Sequence, residues 1–332
     1  MNSVSQSFVF TRFTEMTLIL STILALISVH IVIIDGFTQI STVAGTGATS
    51  STSDGSPALS TNMYFPSGVW TDTLENIYYS EAGDYVVKKV DHSTTLVSTV
   101  TGTTNDLSYS GIPGPATSAL IGYSDSIFGD SVGTLCITDY YNMRIYAVAL
   151  QVSTISVFAG TGASGGTEDN GQATAATFYA PYGVWCDSNA VMYVADAVGK
   201  VIRAVTKSGI ISLLAGSYLN AVTGGSGDGG AATAATFTSP RFIFGDSAGK
   251  NLYFSTAGDN KIRAIVLTNN ANIISSFAGS GTEGTTNIAG AATTLMIDTP
   301  SGVFGDTAGN IFIADTISSK IKQVDPSGIM TM

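Results

Sequence analysis

The stretch ISVFAGTG at Ile155–Gly162 decides the fold, because related stretches recur along the chain. The recurrences read ISTVAGTG, VSTVTG, ISLLAG and ISSFAGSG, and they lie at Ile40–Gly47, Val97–Gly102, Ile211–Gly216 and Ile274–Gly281. Their spacing of about 57 residues is typical of a supersecondary unit that is repeated along a chain. The sequence therefore predicts a repeat protein with about five copies of one unit.

A second phrase follows each of these stretches and begins with proline in four of the five copies. It reads PSGVWTD, SDSIFGD, PYGVWCD, PRFIFGD and PSGVFGD, at Pro66–Asp72, Ser124–Asp130, Pro181–Asp187, Pro240–Asp246 and Pro300–Asp306. An alternating run such as Ile311–Asp315 comes next, and then a run with basic residues such as Lys320–Val324. Each unit thus holds four short apolar runs separated by turn residues, which favours an antiparallel meander. Such sheets bury both faces when they stack radially, so the predicted fold class is an all-β β-propeller with four-stranded blades.

The combined pattern P-x-G-V-x-x-D, G-N-[IL]-[YF]-[IV]-A-D and K-I-[RK]-x-V resembles the repeats of the NHL-repeat β-propeller family. The resemblance covers residues 40 to 332 and is looser in the second copy, where Ser124 stands in place of proline. Each copy is longer than a typical NHL unit because of a loop rich in Gly, Thr and Ala, such as Gly224–Ala235. The resemblance implies the fold, whereas NHL-type propellers include protein-binding, ligand-binding and catalytic members.

The first 36 residues differ in composition from the predicted propeller at 37–332. The apolar run at 16–34 predicts a helix of roughly 28 Å, close to the roughly 30 Å hydrocarbon core of a bilayer. We expect it to act as a signal anchor or a cleaved signal peptide, and a buried core helix is the third alternative. Either of the first two would place the propeller outside the cytosol, extracellular or at the cell surface, with membrane contact only through residues 16–34.

Charge and composition exclude several classes of function. A net charge of −11 and a pI of about 4.4 argue against nucleic-acid binding. His30 and His92 are the only histidines, so a His-rich zinc site cannot be assembled. Cys136 and Cys186 are expected to be plain thiols, and we predict no cofactor. The stretch Ser226–Gly230 (SGDGG) suggests calcium, although it lacks the alternating acids of a calcium loop.

Residues that recur in every copy are assigned to structure. We expect an aspartate to cap one turn of each unit, namely Asp72, Asp130, Asp187, Asp246 and Asp306. We expect one aromatic position to be core, namely Trp70, Phe128, Trp185, Phe244 and Phe304. We expect acids and bases to pair between neighbouring strands or blades, the acids being Glu81, Asp139, Asp196 and Asp315 and the bases Lys88, Arg203, Arg263 and Lys322.

Function is expected where the copies differ. The position after the proline begins the first strand of each unit, which lines the central channel of a propeller. It holds Ser67, Asp125, Tyr182, Arg241 and Ser301. These variable polar groups are predicted to line a binding site at one channel mouth.

Three functions remain open at this point. The first is a non-catalytic binding or scaffold module with a protein or glycan partner. The second is a self-assembling structural subunit, because Ile40–Ala44 and Ile329–Met332 both read as the closing strand of a unit. That surplus strand would mean five blades with one strand to spare, part of a sixth blade, or ring closure by the N-terminal strand. The third is a lyase or lactonase with a carboxylate-bound metal, although no catalytic set is visible.

Overall fold

Four-stranded antiparallel sheets, here called blades 1 to 5, form the structure. The computed structural model describes residues 6–11, 29–34, 41–50, 52–104, 106–130, 132–166, 169–218, 225–246, 249–268 and 272–332. The chain divides into two compact units, Met1–Phe158 and Ala159–Met332.

The first unit contains blades 1 and 2. Near the N-terminus, β1 (Gln6–Thr11) pairs in parallel with β2 (Val29–Ile34). Blade 1 consists of β3 (Pro66–Thr71), β4 (Ile77–Glu81), β5 (Val86–Val90) and β6 (Val97–Gly102). After the short β7 (Gly114–Pro115), blade 2 consists of β8 (Ile127–Gly129), β9 (Thr134–Asp139), β10 (Arg144–Ala149) and β11 (Thr154–Ala159). In both blades the strands pair in sequence order, as a meander.

The second unit contains blades 3, 4 and 5 with the same order of strands. Blade 3 consists of β12 (Pro181–Cys186), β13 (Met192–Asp196), β14 (Val201–Val205) and β15 (Ile211–Gly216). Blade 4 consists of β16 (Pro240–Gly245), β17 (Asn251–Thr256), β18 (Lys261–Val266) and β19 (Ile273–Ala278). After the short β20 (Gly290–Ala291), blade 5 consists of β21 (Pro300–Gly305), β22 (Ile311–Asp315), β23 (Lys320–Val324) and β24 (Ile329–Thr331).

The predicted all-β propeller fold is confirmed, with five four-stranded blades in the described ranges. The helix predicted over 16–34 is wrong at its end, because Val29–Ile34 is a strand; residues 12–28 lie outside the described residues. Within the described ranges, no helix has the length and apolar character needed to cross a membrane.

The loop before each blade covers the outer edge of that same blade. In blades 2 and 5 the covering residues are the short strands β7 and β20, which pair with β11 and β24. In the other blades a single bridge does the same, joining Pro57 to Leu96, Gln172 to Ile210 and Ala231 to Ile273. Part of every outer strand is therefore paired within its own blade, which protects an edge that would otherwise invite association.

A 3₁₀ turn that begins with a buried alanine follows each covering segment. These turns are Ala58–Ser60, Ala116–Ser118, Ala173–Ala175, Ala232–Ala234 and Ala292–Thr294. The alanine carbonyl also accepts a hydrogen bond from the end of the preceding repeat stretch, as in Gly160 N–H to Ala173 O at 2.9 Å and Gly279 N–H to Ala292 O at 3.0 Å. The turn thus joins consecutive repeats.

The N-terminal stretch makes the same contact, because the N–H of Gly45 donates to the carbonyl oxygen of Ala58 at 3.0 Å. Residues 41–44 of this stretch form no strand. The closing strand predicted at Ile40–Ala44 is therefore wrong for residues 41–44, while Ile40 lies outside the described residues.

Aromatic side chains pack between neighbouring blades, and glycines make room for them. A Cβ placed on Gly129 would lie 2.5 Å from the Trp70 ring, and one on Gly245 would lie 2.2 Å from the Trp185 ring. In the second unit the rings of Phe244 and Trp185 pack 6.2 Å apart, centre to centre. The predicted core role is confirmed for Trp70 and Trp185, which are buried, whereas Phe128, Phe244 and Phe304 are only partly buried at the same repeat position.

The predicted turn-capping aspartates are also confirmed. In blade 1, Asp72 Oδ1 accepts hydrogen bonds from the N–H groups of Leu74 and Asn76, both at 2.9 Å. In blades 2 to 5, the turn between the first two strands contains the same kind of hydrogen bond from a backbone N–H to an aspartate carboxylate. The aspartates are Asp130, Asp187, Asp246 and Asp306. These carboxylates are therefore committed to backbone donors of their own turns.

Candidate functional site

In the first unit, the predicted mouth residues Ser67 and Asp125 lie next to each other and are both buried. Ser67 Oγ lies 2.9 Å from the carbonyl oxygen of Asp125 and 3.1 Å from that of Ser124, so its hydroxyl donates to the backbone of blade 2. Ser67 therefore joins the two blades, and Asp125 places a buried carboxyl group beside it.

In the second unit, Ser301 is fully buried and its hydroxyl lies 2.8 Å from that of Thr316. Tyr182 and Arg241 are partly exposed, and the guanidinium carbon of Arg241 lies 5.4 Å from the centre of the Tyr182 ring. The binding role predicted for this position stays a prediction. Ser67 and Ser301 are buried and make internal hydrogen bonds, whereas Tyr182 and Arg241 are partly exposed.

Asp125 and three tyrosines lie near Tyr123, and we call the four tyrosines the tyrosine cluster: Tyr64, Tyr85, Tyr123 and Tyr140. Burial, and after it the nearby Asp125 and the other three phenols, raise the pKa of Tyr123 to about 12. The rings of Tyr123 and Tyr140 meet edge to face at 5.5 Å. The cluster therefore joins aromatic rings, phenolic hydroxyls and one carboxylate in a small region.

The tyrosine cluster lies on connecting segments and not within strands. Tyr64 precedes β3, Tyr123 precedes β8, and Tyr85 and Tyr140 belong to the turns between the second and third strands of blades 1 and 2. Tyr140 is 38% exposed and its neighbour Tyr141 is 53% exposed, so part of this surface is open to a ligand. Loops held by a rigid sheet are where binding residues are concentrated in proteins.

Backbone strain accompanies the cluster. Tyr85 has φ +60°, and Phe65, whose ring packs 4.7 Å from that of Tyr64, has φ +49°. A bulky aromatic residue is costly in this left-handed region, where asparagine or glycine is tolerated. The blade 4 counterpart of Tyr85 is Asn260, with φ +52°. An aromatic side chain is thus retained where the backbone does not favour one.

The predicted pairing of an acid and a base on neighbouring strands is confirmed in blade 5, where Lys322 Nζ lies 2.9 Å from Asp315 Oδ2. In blades 3 and 4 the arginines have other partners. Fully buried Arg203 and Arg263 pair with loop acids, Arg203 with Asp169 at 2.9 Å and Arg263 with Asp228 at 2.6 Å. They tie the long loop to its own blade and not one blade to the next. Asp228 also accepts a hydrogen bond from Ser276 at 2.7 Å, so the carboxylate of the suggested calcium stretch is committed to an arginine and a hydroxyl.

Glu81 is a buried carboxyl group directly behind the cluster. It is fully buried at the end of β4, and its Oε2 accepts a hydrogen bond from the N–H of Tyr64 at 3.3 Å. Within the described residues, its Oε1 and the hydroxyl of nearby Tyr79 have no hydrogen-bond partner. Burial raises the pKa of Glu81 to about 8, although the charge of Lys88 opposes this. Glu81 is therefore mostly neutral at pH 7.

Metal ligands do not converge in the described part of the chain. There, no group of three or more His, Cys, Asp or Glu side chains is placed to hold a metal ion. The side chain of His92 is 53% exposed and lies 3.5 Å from Glu75. Cys136 and Cys186 form no disulfide bond with each other.

Solved structures with a similar fold include two auxiliary nutrient binding proteins. The one from Bacteroides ovatus has a TM-score of 0.58 and 12% identity, over 84% of this chain and 59% of that chain. The one from Bacteroides thetaiotaomicron has a TM-score of 0.55 and 13% identity, over 80% of this chain and 56% of that chain. A chain of the nidogen/laminin complex has a TM-score of 0.52 and 13% identity, over 79% of this chain and 76% of that chain.

This chain spans less than two thirds of the length of either Bacteroides protein. At such identities the likeness shows the fold alone. No family model matches the chain, and no curated protein matches it. The comparisons therefore show the fold and no family, and function has to be argued from the residues of this chain.

Proposed function

We propose that this protein is a non-catalytic binding module that recognises a glycan through the tyrosine cluster of its first unit. The observation that carries the proposal is the gathering of three phenols around Tyr123, with the ring of partly exposed Tyr140 at 5.5 Å. At the position of Tyr85 the other copies have no aromatic residue; they hold Met143, Lys200, Asn260 and Ser319. The fold does not require a tyrosine there, so a ligand is the simplest reason for it.

The chemistry of the cluster suits a sugar. Aromatic rings pack on the apolar faces of sugar rings, while phenolic hydroxyls and a carboxylate exchange hydrogen bonds with sugar hydroxyls. Tyrosine is also enriched at protein interfaces, so a protein partner is the competing outcome. Asp125 is buried beside the Tyr123 phenol, so we assign the ligand contacts to the exposed phenols of Tyr140 and Tyr141, whose hydroxyls can both donate to and accept from sugar hydroxyls.

We further propose that the module works outside the cytosol, at the cell surface or in the extracellular space. The apolar run at 16–34 supports this location, as a signal peptide or an anchor. A self-assembling subunit is disfavoured because every outer strand in the described blades is partly paired with its own loop. No observation in the described residues favours a lyase or lactonase.

The test is native electrophoresis of the full chain through gels that contain a neutral glucan, mannan or galactan. At least one polysaccharide is expected to slow the wild type, and Tyr85→Asn is expected to abolish the effect. The matched control is Lys200→Asn, at the same repeat position and with a similar φ of +58°. Both variants relieve strain and should stabilise the fold by about 1 kcal/mol, but only Tyr85→Asn should lose retardation.

Two results would count against the proposal. No retardation by any of the polysaccharides would reject a glycan ligand and favour a protein partner. Undiminished retardation of Tyr85→Asn would reject the cluster as the site.

A further inference from the structure

Arg241, on β16, has a guanidinium group with an unusual environment in the second unit. The side chain is partly buried, and its contact is the ring of Tyr182 at 5.4 Å. Among the described residues, no carboxylate or carbonyl lies within hydrogen-bond distance of this guanidinium.

The other arginines of the described ranges each have a protein acceptor. Arg203 bonds to Asp169 and Arg263 bonds to Asp228. Arg144 also lies over a tyrosine, with its guanidinium carbon 3.9 Å from the centre of the Tyr109 ring, yet its Nη1 donates to the carbonyl oxygen of Asn142 at 3.0 Å. A guanidinium has five donors, and leaving buried donors unpaired costs about 1–3 kcal/mol. Among the described arginines, Arg241 is therefore the one whose guanidinium N–H groups are available to a ligand.

The surroundings hold Arg241 in place. Gly183 lies so close to the backbone of blade 4 that a Cβ there would lie 2.0 Å from the carbonyl oxygen of Arg241. This approach brings the starts of β12 and β16 together. The Tyr182 ring meets Phe242 edge to face at 5.9 Å, which fixes the ring beneath the guanidinium. A cation held over an aromatic face is positioned before any ligand arrives.

From these contacts we propose that Arg241 and Tyr182 form a binding site for a carboxylate-bearing small molecule, of which a uronic acid is an example. The planar fork of a guanidinium matches a carboxylate with two parallel hydrogen bonds. General attraction of anions is weak here because the chain carries a net charge of −11. Binding would therefore depend on this one arginine. The proposal does not rest on the tyrosine cluster, which lies in the first unit.

The test is calorimetric titration of the full chain with sodium D-galacturonate, with D-galactose as the neutral counterpart. Galacturonate is expected to bind with a Kd in the millimolar range and galactose not to bind. Arg241→Gln should weaken binding by about tenfold or more. Arg241→Lys should recover only part of the loss, because an ammonium lacks the fork. The matched control is Arg144→Gln, which also removes an arginine from above a tyrosine and should leave the affinity unchanged.

Three results would overturn the proposal. They are no binding of galacturonate up to about 10 mM, equal binding by wild type and Arg241→Gln, and tighter binding of inorganic phosphate than of galacturonate. The last result would replace the carboxylate with a phosphate as the ligand. Urea unfolding of each variant separates loss of the site from loss of the fold, because Arg241→Gln should unfold at the same midpoint as the wild type.

Discussion

Replacing Glu81 by glutamine should make the first unit more stable at pH 8 and leave it nearly unchanged near pH 4.5. The pKa of Glu81 is raised from an ordinary value of 4.5 to about 8 by burial. Below pH 4.5 this carboxyl is protonated in both the folded and the unfolded chain. As pH rises from 4.5 to 8, the unfolded chain loses the proton while the folded chain keeps it, so the free energy of unfolding falls.

The magnitude follows from the size of the change in pKa. Each tenfold change in the ionisation constant corresponds to about 1.4 kcal/mol, so the free energy of unfolding falls by about 5 kcal/mol by pH 8. Lys88 and the N–H of Tyr64 favour the ionised form, whereas Asp84 opposes it. Glutamine carries no charge and avoids this loss entirely. The difference between the two proteins should therefore grow across this pH range and level off above pH 8.

The assay can be confined to the first unit, because the chain has two tryptophans and they lie in different units. In a Trp185→Phe background, Trp70 alone reports urea unfolding of blades 1 and 2. Phenylalanine occupies the same repeat position in blades 2, 4 and 5, so the background change is a conservative one. The control is Glu75→Gln, whose side chain is 60% exposed and which should shift stability by less than about 0.5 kcal/mol at every pH. Parallel stability curves for wild type and Glu81→Gln would refute the reasoning.

Three further substitutions test the packing, each measured by urea unfolding. Gly183→Ala should destabilise the second unit by about 1–3 kcal/mol, because the alanine Cβ would lie 2.0 Å from the Arg241 carbonyl oxygen. An unchanged urea midpoint would contradict the close approach of β12 and β16. Arg203→Met should cost about 3 kcal/mol by removing the buried partner of Asp169, and a loss below about 1 kcal/mol would show that the pair does not hold the loop. Tyr79→Phe removes a buried hydroxyl that has no hydrogen-bond partner among the described residues, so stability should be unchanged or higher; a clear loss would reveal a partner for that hydroxyl.

The repeats predicted the blades because each strand carries its own signal. Proline begins the first strand in four copies, and the aspartate after it caps the following turn through bonds that involve only nearby residues. Local interactions of this kind can be deduced from one chain. The aromatic core position was also predictable, because only burial explains a large ring in all five copies.

One ion pair follows from the repeat, because Lys322 Nζ lies 2.9 Å from Asp315 Oδ2 on the neighbouring strand. The pairs of Arg203 and Arg263 could not be predicted, because they depend on loop conformation. The repeat suggested Asp196 as the partner of Arg203, but Asp196 accepts hydrogen bonds from the N–H groups of Tyr179 and Ala180. Arg203 instead reaches Asp169, 34 residues earlier in the chain. Loops of different length place their acids at different distances from the strands, so repeat spacing does not reveal this pairing.

The candidate sites use residues that the sequence singles out only in part. Tyr182 and Arg241 are partly exposed, whereas Ser67, Asp125 and Ser301 of the same repeat position are buried. The sequence also carries a signal for the tyrosine cluster, because Tyr85 stands where the four other copies have no aromatic residue. Turn chemistry does not reveal that signal, because a left-handed turn position does not require an aromatic side chain.

Each outer strand is covered by a loop of its own blade, and this bears on how the number of blades could have changed in evolution. A blade, its outer strand and the loop that covers that strand lie on one contiguous stretch of sequence. Duplication or deletion of that stretch in the gene would add or remove a blade together with its cover. Such a change would leave no bare edge to promote aggregation. The number of blades could therefore have changed by single recombination events, with each intermediate still able to fold.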